Sequence, residues 1–275
     1  MNEACLPPVS NRVLYGYRIF CKWLSFFIFG FSSLLMGALV IPFMLMFIHP
    51  RDKFSRTGRR FISLYMRFFV FIMYVMGIVV LDAGDKEAYK NLSSKIVVSN
   101  HPSLLDIVML LSLIPNADCI VNSSLNRNIV GLVSSRFYIR NSLNYEELLD
   151  SCIKSLNAGN CIIIFPEGTR TPRNGEIKIK KGAARLSLVS QCGIVPVHFG
   201  GTDKYGLGKK DPWAAFNHRD KYIYKITMKK EISPLAYSSL PAPAAARALT
   251  AKIKEILFTR EASDSGFGGA PKETP

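Results

Sequence analysis

Hydrophobic and polar positions divide the chain into two differently patterned parts. Residues 23–48 read WLSFFIFGFSSLLMGALVIPFMLMFI and contain no formal charge. That run exceeds the roughly 20 residues that carry a helix across a bilayer and the roughly 7 to 15 of a signal-peptide core. It predicts a membrane-embedded helix, with Gly37 and Pro42 positioned to loosen it. A second apolar stretch, residues 61–81, is interrupted by Arg67, so its clean part is only marginally long enough to span. Beyond Leu81 short apolar runs alternate with polar helical stretches, the rhythm of an α/β domain. Strands are predicted at 78–81, 95–99, 119–122, 161–165, 195–199 and 222–228. Asn144 and Glu147 have capping-box spacing, opening a helix through Leu156 that stops at Gly159. Further helices are predicted from about Leu104, over 182–191 and over 244–258.

The expected organisation is a membrane-associating helical hairpin over 1–82, an α/β domain with a mixed sheet flanked by helices over 83–260, and a disordered tail over 261–275, rich in Gly, Ser and Pro.

Charge refines the membrane reading. The chain carries 35 Lys and Arg against 20 Asp and Glu, a formal net charge of +15 over 275 residues, which selects anionic partners. Arg12, Arg18 and Lys22 precede the first apolar run, and Arg51, Lys53, Arg56, Arg59 and Arg60 follow it. Basic residues stay on the cytoplasmic side. A single pass would export one cluster, whereas a hairpin dipping into one leaflet keeps both beside lipid head groups. The favoured expectation is a hairpin embedded from the cytoplasmic side, with true spanning and two buried helices of a soluble core as alternatives. The six cysteines form no C-x-x-C pair, which argues against a zinc ribbon, a redox motif or a secreted disulfide framework. They suit small core positions in a reducing compartment.

Two strings carry candidate chemistry. Ser99-Asn100-His101-Pro102-Ser103-Leu104-Leu105-Asp106 follows a predicted strand and leads into a helix. Positions five apart on one helix face different directions. His101 must therefore sit on the turn before the helix if it is to meet Asp106, with Pro102 tolerated at an early helical position. So arranged, Asp106 fixes the imidazole tautomer and leaves the other nitrogen to take a proton from a hydroxyl. The helix start is also expected to turn backbone amides toward a phosphate or oxyanion. On physics alone the pair also fits a polar turn in which Asp106 serves the helix N-terminus.

The second string, Phe165-Pro166-Glu167-Gly168-Thr169-Arg170, ends an apolar strand. Gly168 allows close backbone approach, Thr169 offers a hydroxyl, and Arg170 can hold a phosphate with two parallel bonds. Glu167 is expected to hold an acceptor hydroxyl or to brace the arginine. Lys178, Lys180 and Lys181 follow as a candidate basic wall. A strand-ending turn with a solvated ion pair is the plainer alternative.

The order N-H-P-S-x-x-D, F-P-E-G-T-R, K-K-G-A and I-V-P-V resembles the 1-acyl-sn-glycerol-3-phosphate acyltransferase family of glycerolipid acyltransferases. The similarity covers residues 95–199, and the N-terminal apolar hairpin is also similar. It implies acyl transfer from acyl-ACP or acyl-CoA to the hydroxyl of a lysophospholipid-like acceptor, with His101 as general base and Asp106 orienting it. Glu167, Gly168, Thr169, Arg170 and Lys181 fall to acceptor binding, and Ile194 to Val197 to the donor side. One block departs from the family pattern. Where an acidic residue followed by arginine is usual, this chain reads Ser134-Ser135-Arg136-Phe137-Tyr138-Ile139-Arg140-Asn141, with Arg140 as the candidate substitute. That keeps open a specialised acceptor, such as an ornithine lipid precursor or a polyene lipid.

No nucleophilic Ser or Cys is required, because the thioester is already activated. No metal-ligand spacing, P-loop or dinucleotide fingerprint is present, so no bound metal or organic cofactor is expected. Nucleic acid is not an expected partner, since charge alone suggests it. A non-catalytic lipid-binding protein on the same fold remains the alternative from another class. The expected location is a bacterial inner membrane, with the site facing the cytoplasm.

Overall fold

The computed structural model describes residues 6–48, 51–121, 138–140, 144–173 and 176–259. Seven strands form one mixed sheet in the order β1 (Val79–Asp82), β7 (Tyr222–Met228), β6 (Ile194–Gly201), β2 (Ile96–Ser99), β5 (Cys161–Ile164), β3 (Ala117–Val121) and β4 (Ile139–Arg140). Every pairing is parallel except β6 with β7. β4 was not expected from the sequence. Its two residues are too few for alternation to register, and they lie in the block that departs from the family pattern.

The central strands are apolar on both faces because helices cover both. The short α3 (Lys86–Lys90) follows β1, and Val97, Cys161, Ile163, Val195 and Val197 join the core beneath α4 (Asp106–Leu113) and the N-terminal helices. Ile96, Val98, Ile162 and Ile194 point the other way. There they meet α5 (Tyr145–Asn157), α6 (Gly182–Ser190) and α7 (Ala242–Phe258). Successive side chains alternate faces with a period of two, so each strand feeds both cores. The capping box forms as expected: Glu147 N donates to Asn144 Oδ1 at 2.8 Å and Asn144 Nδ2 to Glu147 Oε1 at 2.9 Å. Gly159 takes φ +85° just beyond the helix.

The N-terminal apolar run forms α1 (Arg12–Phe47), which continues through Gly37 and Pro42. Its antiparallel neighbour α2 (Arg51–Val75) extends well into the basic segment. Arg67, which interrupts the second apolar stretch, donates from Nε to Ser112 O at 2.7 Å, satisfying a carbonyl at the end of α4. Arg59 pairs with buried Asp118 at 3.1 Å and with Asn160 Oδ1 at 3.1 Å. These contacts fasten α2 along the α/β domain. α1 packs outside it through Phe29 on Tyr65 and Phe69, and Met44 with Phe54 and Ile62. Among the described residues α1 is the one helix long and apolar enough to cross a membrane. Its outer face exposes Phe20, Trp23, Phe27, Phe31, Leu34 and Phe43. β1 lies within the segment expected as the N-terminal hairpin and supplies an edge strand of the sheet. The C-terminal tail, 261–275, lies outside the described residues.

Candidate active site

The site forms where β2 and β5 end side by side. β2 pairs with β6 as far as Ser99 opposite Val197. Asn100 then extends the ladder with its side chain: Nδ2 donates to Phe199 O at 3.0 Å, and Phe199 N donates to Asn100 Oδ1 at 2.7 Å. That buried double bond fixes the chain direction just before His101.

His101 stands on the turn before α4, and Asp106 is the first residue of that helix. Pro102 and Ser103 therefore precede the helix rather than begin it. The Asp106 carboxylate is fully buried. It accepts from His101 Nδ1 at 2.8 Å, from Ser103 N at 2.6 Å and from Ser103 Oγ. Three donors thus converge on this one carboxylate. They also assign the histidine tautomer: Nδ1 carries the hydrogen and Nε2 holds the free lone pair. The ring stacks on Phe165 with centroids 4.1 Å apart and planes within 17°. The imidazole is thus held by a carboxylate at one edge and an aromatic face below.

Ser103 Oγ spends its hydrogen on Asp106, so Tyr224 OH, at 2.7 Å, must donate to it. Burial pushes the Tyr224 phenol well above its ordinary range; the Asp106 charge adds to this and the Ser103 bond opposes it. Tyr224 therefore remains a neutral donor at physiological pH. Lys204, also buried, lies 4.6 Å from the centre of the same ring. Nothing in the sequence pointed to Tyr224 beyond its inward register on β7.

The amides of the turn leading into α4 are held by the protein itself. His101 N donates to Glu167 and Thr171, Ser103 N to Asp106, Leu104 N to Leu207 O, and Leu105 N to Ser103 Oγ. Each is consumed in fixing the turn.

Glu167 does not brace Arg170. Its Oε1 accepts from His101 N at 3.1 Å and Thr171 Oγ1 at 2.7 Å, and Thr171 N donates to His101 O at 2.7 Å. The two sequence motifs are thereby locked together through backbone. Thr171, immediately after the hexapeptide, is a site residue that sequence reasoning missed. Glu167 Oε2 is buried with no partner among the described residues. Burial pushes this carboxyl above its ordinary range, against the stabilising pull of Thr171 and His101.

Arg170 donates from Nη1 to the carbonyls of Leu207 and Gly208, both at 3.0 Å. Gly168 adopts φ +68°, and a Cβ there would lie 2.7 Å from Lys180 Nζ. The left-handed backbone of the turn requires glycine here, while the flexible end of Lys180 lies against it. Lys181, the residue carried over from the sequence pattern, is exposed at the N-cap position of α6. Thr169 is exposed at the turn. Arg140 lies on β4, and its side chain falls outside the described residues, as does most of the 134–141 block.

Buried thiols have no place in this chemistry: burial pushes Cys152 and Cys161 up to about 11. A groove of about 350 Å³ between α2 and the β1 edge, lined by Arg67, Phe71, Leu81, Lys86 and Lys90, contains none of the site residues.

Comparison with known proteins accords with this geometry. A family model described as Acyltransferase matches residues 80–200. A chloroplastic 1-acyl-sn-glycerol-3-phosphate acyltransferase of Arabidopsis thaliana is 29% identical over 189 residues, covering 64% of this chain and 50% of that protein. The human 1-acyl-sn-glycerol-3-phosphate acyltransferase beta is 27% identical over 124 residues, covering 42% and 44%. The chain spans about half the length of the curated relatives it matches. In fold it is similar to the crystal structure of the 1-acyl-sn-glycerophosphate acyltransferase PlsC from Thermotoga maritima, with a TM-score of 0.63 at 20% identity, covering 89% of this chain and 98% of that one.

Proposed function

We propose that the chain, whose residues 80–200 match a family model described as Acyltransferase, transfers a fatty acyl group from an acyl thioester to the hydroxyl of a lysophosphatidate-type acceptor. The observation that carries the reading is the His101–Asp106 pair at 2.8 Å, with Nε2 left as the basic nitrogen. Nε2 takes the proton of the acceptor hydroxyl as its oxygen attacks the thioester carbonyl carbon. The tetrahedral intermediate then expels the thiolate, which recovers that proton from the imidazolium. Asp106 balances the transient imidazolium charge and holds the ring in place. No enzyme nucleophile enters, so positioning of acceptor and donor together supplies much of the rate.

Glu167 Oε2 is suited to receive a hydroxyl donor, because it is buried and lacks a partner among the described residues. Lys180 and the donors of Arg170 that have no partner among the described residues offer positive charge to the acceptor phosphate. The donor, acyl-ACP or acyl-CoA, is a co-substrate rather than a bound cofactor.

The site works at a membrane, to which the acceptor is confined. Two observations support embedding from one side: the exposed aromatic face of α1, and the fastening of α2 along the domain by Arg59 and Arg67. A helix tied lengthwise to the α/β domain keeps its partner helix at the same membrane face. The cytoplasmic face of a bacterial inner membrane fits the basic flanks.

The test is incorporation of labelled acyl chain into lysophosphatidate by the purified, reconstituted protein, with acyl-ACP and acyl-CoA offered separately. Diacyl product with either donor is expected. Absence of product with both, in protein shown to be folded, overturns the reading.

A further inference from the structure

The segment after β6 folds into a tight, outward-pointing turn that the proposed chemistry does not use directly. Asp211 Oδ2 accepts from Gly206 N at 2.9 Å and Gly208 N at 2.8 Å, while Arg173 Nε holds Oδ1 at 3.0 Å. Arg173 also reaches Asp203 at 2.8 Å. Gly206 sits at φ +89°, where a Cβ would come within 2.0 Å of Ala215 O. Lys210 is held at φ +67°, a conformation unfavourable to a non-glycine residue that persists where surrounding contacts impose it. The turn is thus rigidly presented. Lys209, Lys210, Pro212, Trp213 and Ala214 at its tip are all exposed.

Trp213 is 59% exposed and lies against Trp23 of α1, itself 46% exposed, with ring centroids 6.2 Å apart. The preceding residue, Lys22, is buried and donates to Trp213 O at 2.7 Å and to Ala215 O. α1 and the turn are therefore pinned together where the outward apolar stripe of α1 passes the α/β domain.

We propose that the turn over residues 209–214 is a second membrane anchor, which inserts Trp213 at the head-group level of an anionic bilayer and holds lipid phosphates with Lys209 and Lys210. The inference rests on the membrane reading of α1 given above. Two observations select a bilayer as the occupant. The exposed indole continues the apolar face of α1 through Trp23, and tryptophan favours the membrane interface. Two adjacent exposed lysines complement anionic head groups, which attract basic residues held near such a surface. The anchor also bears on the site. The carbonyls of Leu207 and Gly208 receive Arg170, and Leu207 O receives Leu104 N, so a turn docked on lipid sets the height of the catalytic turns above the membrane.

The chain has two tryptophans, which makes the test direct. Full-length Trp23→Phe carries Trp213 as its one indole, and Trp213→Phe carries Trp23. Each is reconstituted into phosphatidylcholine bilayers with or without phosphatidylglycerol, and emission is followed with aqueous acrylamide and with shallowly brominated lipid. In anionic bilayers Trp213 is expected to shift to the blue, lose accessibility to acrylamide and be quenched by the brominated lipid. Adding K209E and K210E is expected to restore acrylamide accessibility. Trp213 remaining open to acrylamide while Trp23 is quenched by lipid overturns the anchor and leaves the membrane reading of α1 standing. Failure of lipid to quench either indole overturns both.

Discussion

Asp106 governs the site at the scale of single residues. It is a fully buried carboxylate satisfied by three donors, so its replacement does more than remove a charge. In Asp106→Asn an amide N–H must face one of those donors, and the histidine loses the acceptor that fixes its tautomer. Transfer is expected to fall by about 10²–10⁴-fold, measured as initial rate at saturating acceptor. Tyr224→Phe removes only the bond that orders Ser103. It is expected to cost about 1 kcal/mol of stability and to lower kcat with KM unchanged, because Tyr224 acts through Ser103 and Asp106 and touches no substrate. A rise in KM with unchanged kcat would contradict that role. His101 and Asp106 were legible because a five-residue spacing across a strand-to-helix turn brings the two side chains together. Tyr224 and Thr171 were not. Tyr224 reaches Ser103 across 121 positions, and the Glu167 contacts arise only when β2 and β5 lie adjacent.

Among elements, the strands were legible where burial on both faces left continuous apolar runs. The predicted strand at 222–228 coincides with β7, and the others match within a few residues. The N-terminal helices were legible in length but not in attachment. Arg18 and Lys22 read as flanking charges for a membrane surface. In the structure Arg18 faces Asp220 at 3.5 Å, and Lys22 is buried among carbonyls of the 206–215 turn. Charge pattern alone cannot distinguish a cation that meets lipid from one that ties a helix to its own domain. Arg173 provides the test at this scale. It joins Asp203 and Asp211, so Arg173→Ala releases the turn that also receives Arg170 through Leu207 and Gly208. KM for a phosphate-bearing acceptor is expected to rise several-fold, while KM for the thioester remains constant. Equal effects on both substrates would show that the turn does not serve the acceptor side.

Across the whole molecule, the mixed sheet with helices on both faces was legible from the alternation of elements, whereas the strand order and the antiparallel β6–β7 pairing were not. They depend on which strands meet after long connections. The same assembled core sets a pH limit. Burial pushes Tyr89 up to about 12 from its ordinary 10, and Tyr222 and Tyr224 well above it. Each raised phenol contributes stability that is present in full below pH 10 and is lost as pH rises toward the folded value, because the unfolded chain gives up the proton first. The tyrosines' share of the unfolding free energy, read from denaturant curves, is expected to decline above pH 10 by about 1.4 kcal/mol per pH unit for each tyrosine. A flat profile through that range would contradict the burial of these phenols. The central claim is that one imidazole, fixed by one carboxylate, performs acyl transfer at a membrane surface. The most direct measurement is the transfer rate of His101→Ala beside the unaltered protein, both reconstituted in the same bilayers and both shown by circular dichroism to be folded. A loss of at least about 10²-fold is expected, with membrane association retained. Equal rates would contradict that claim.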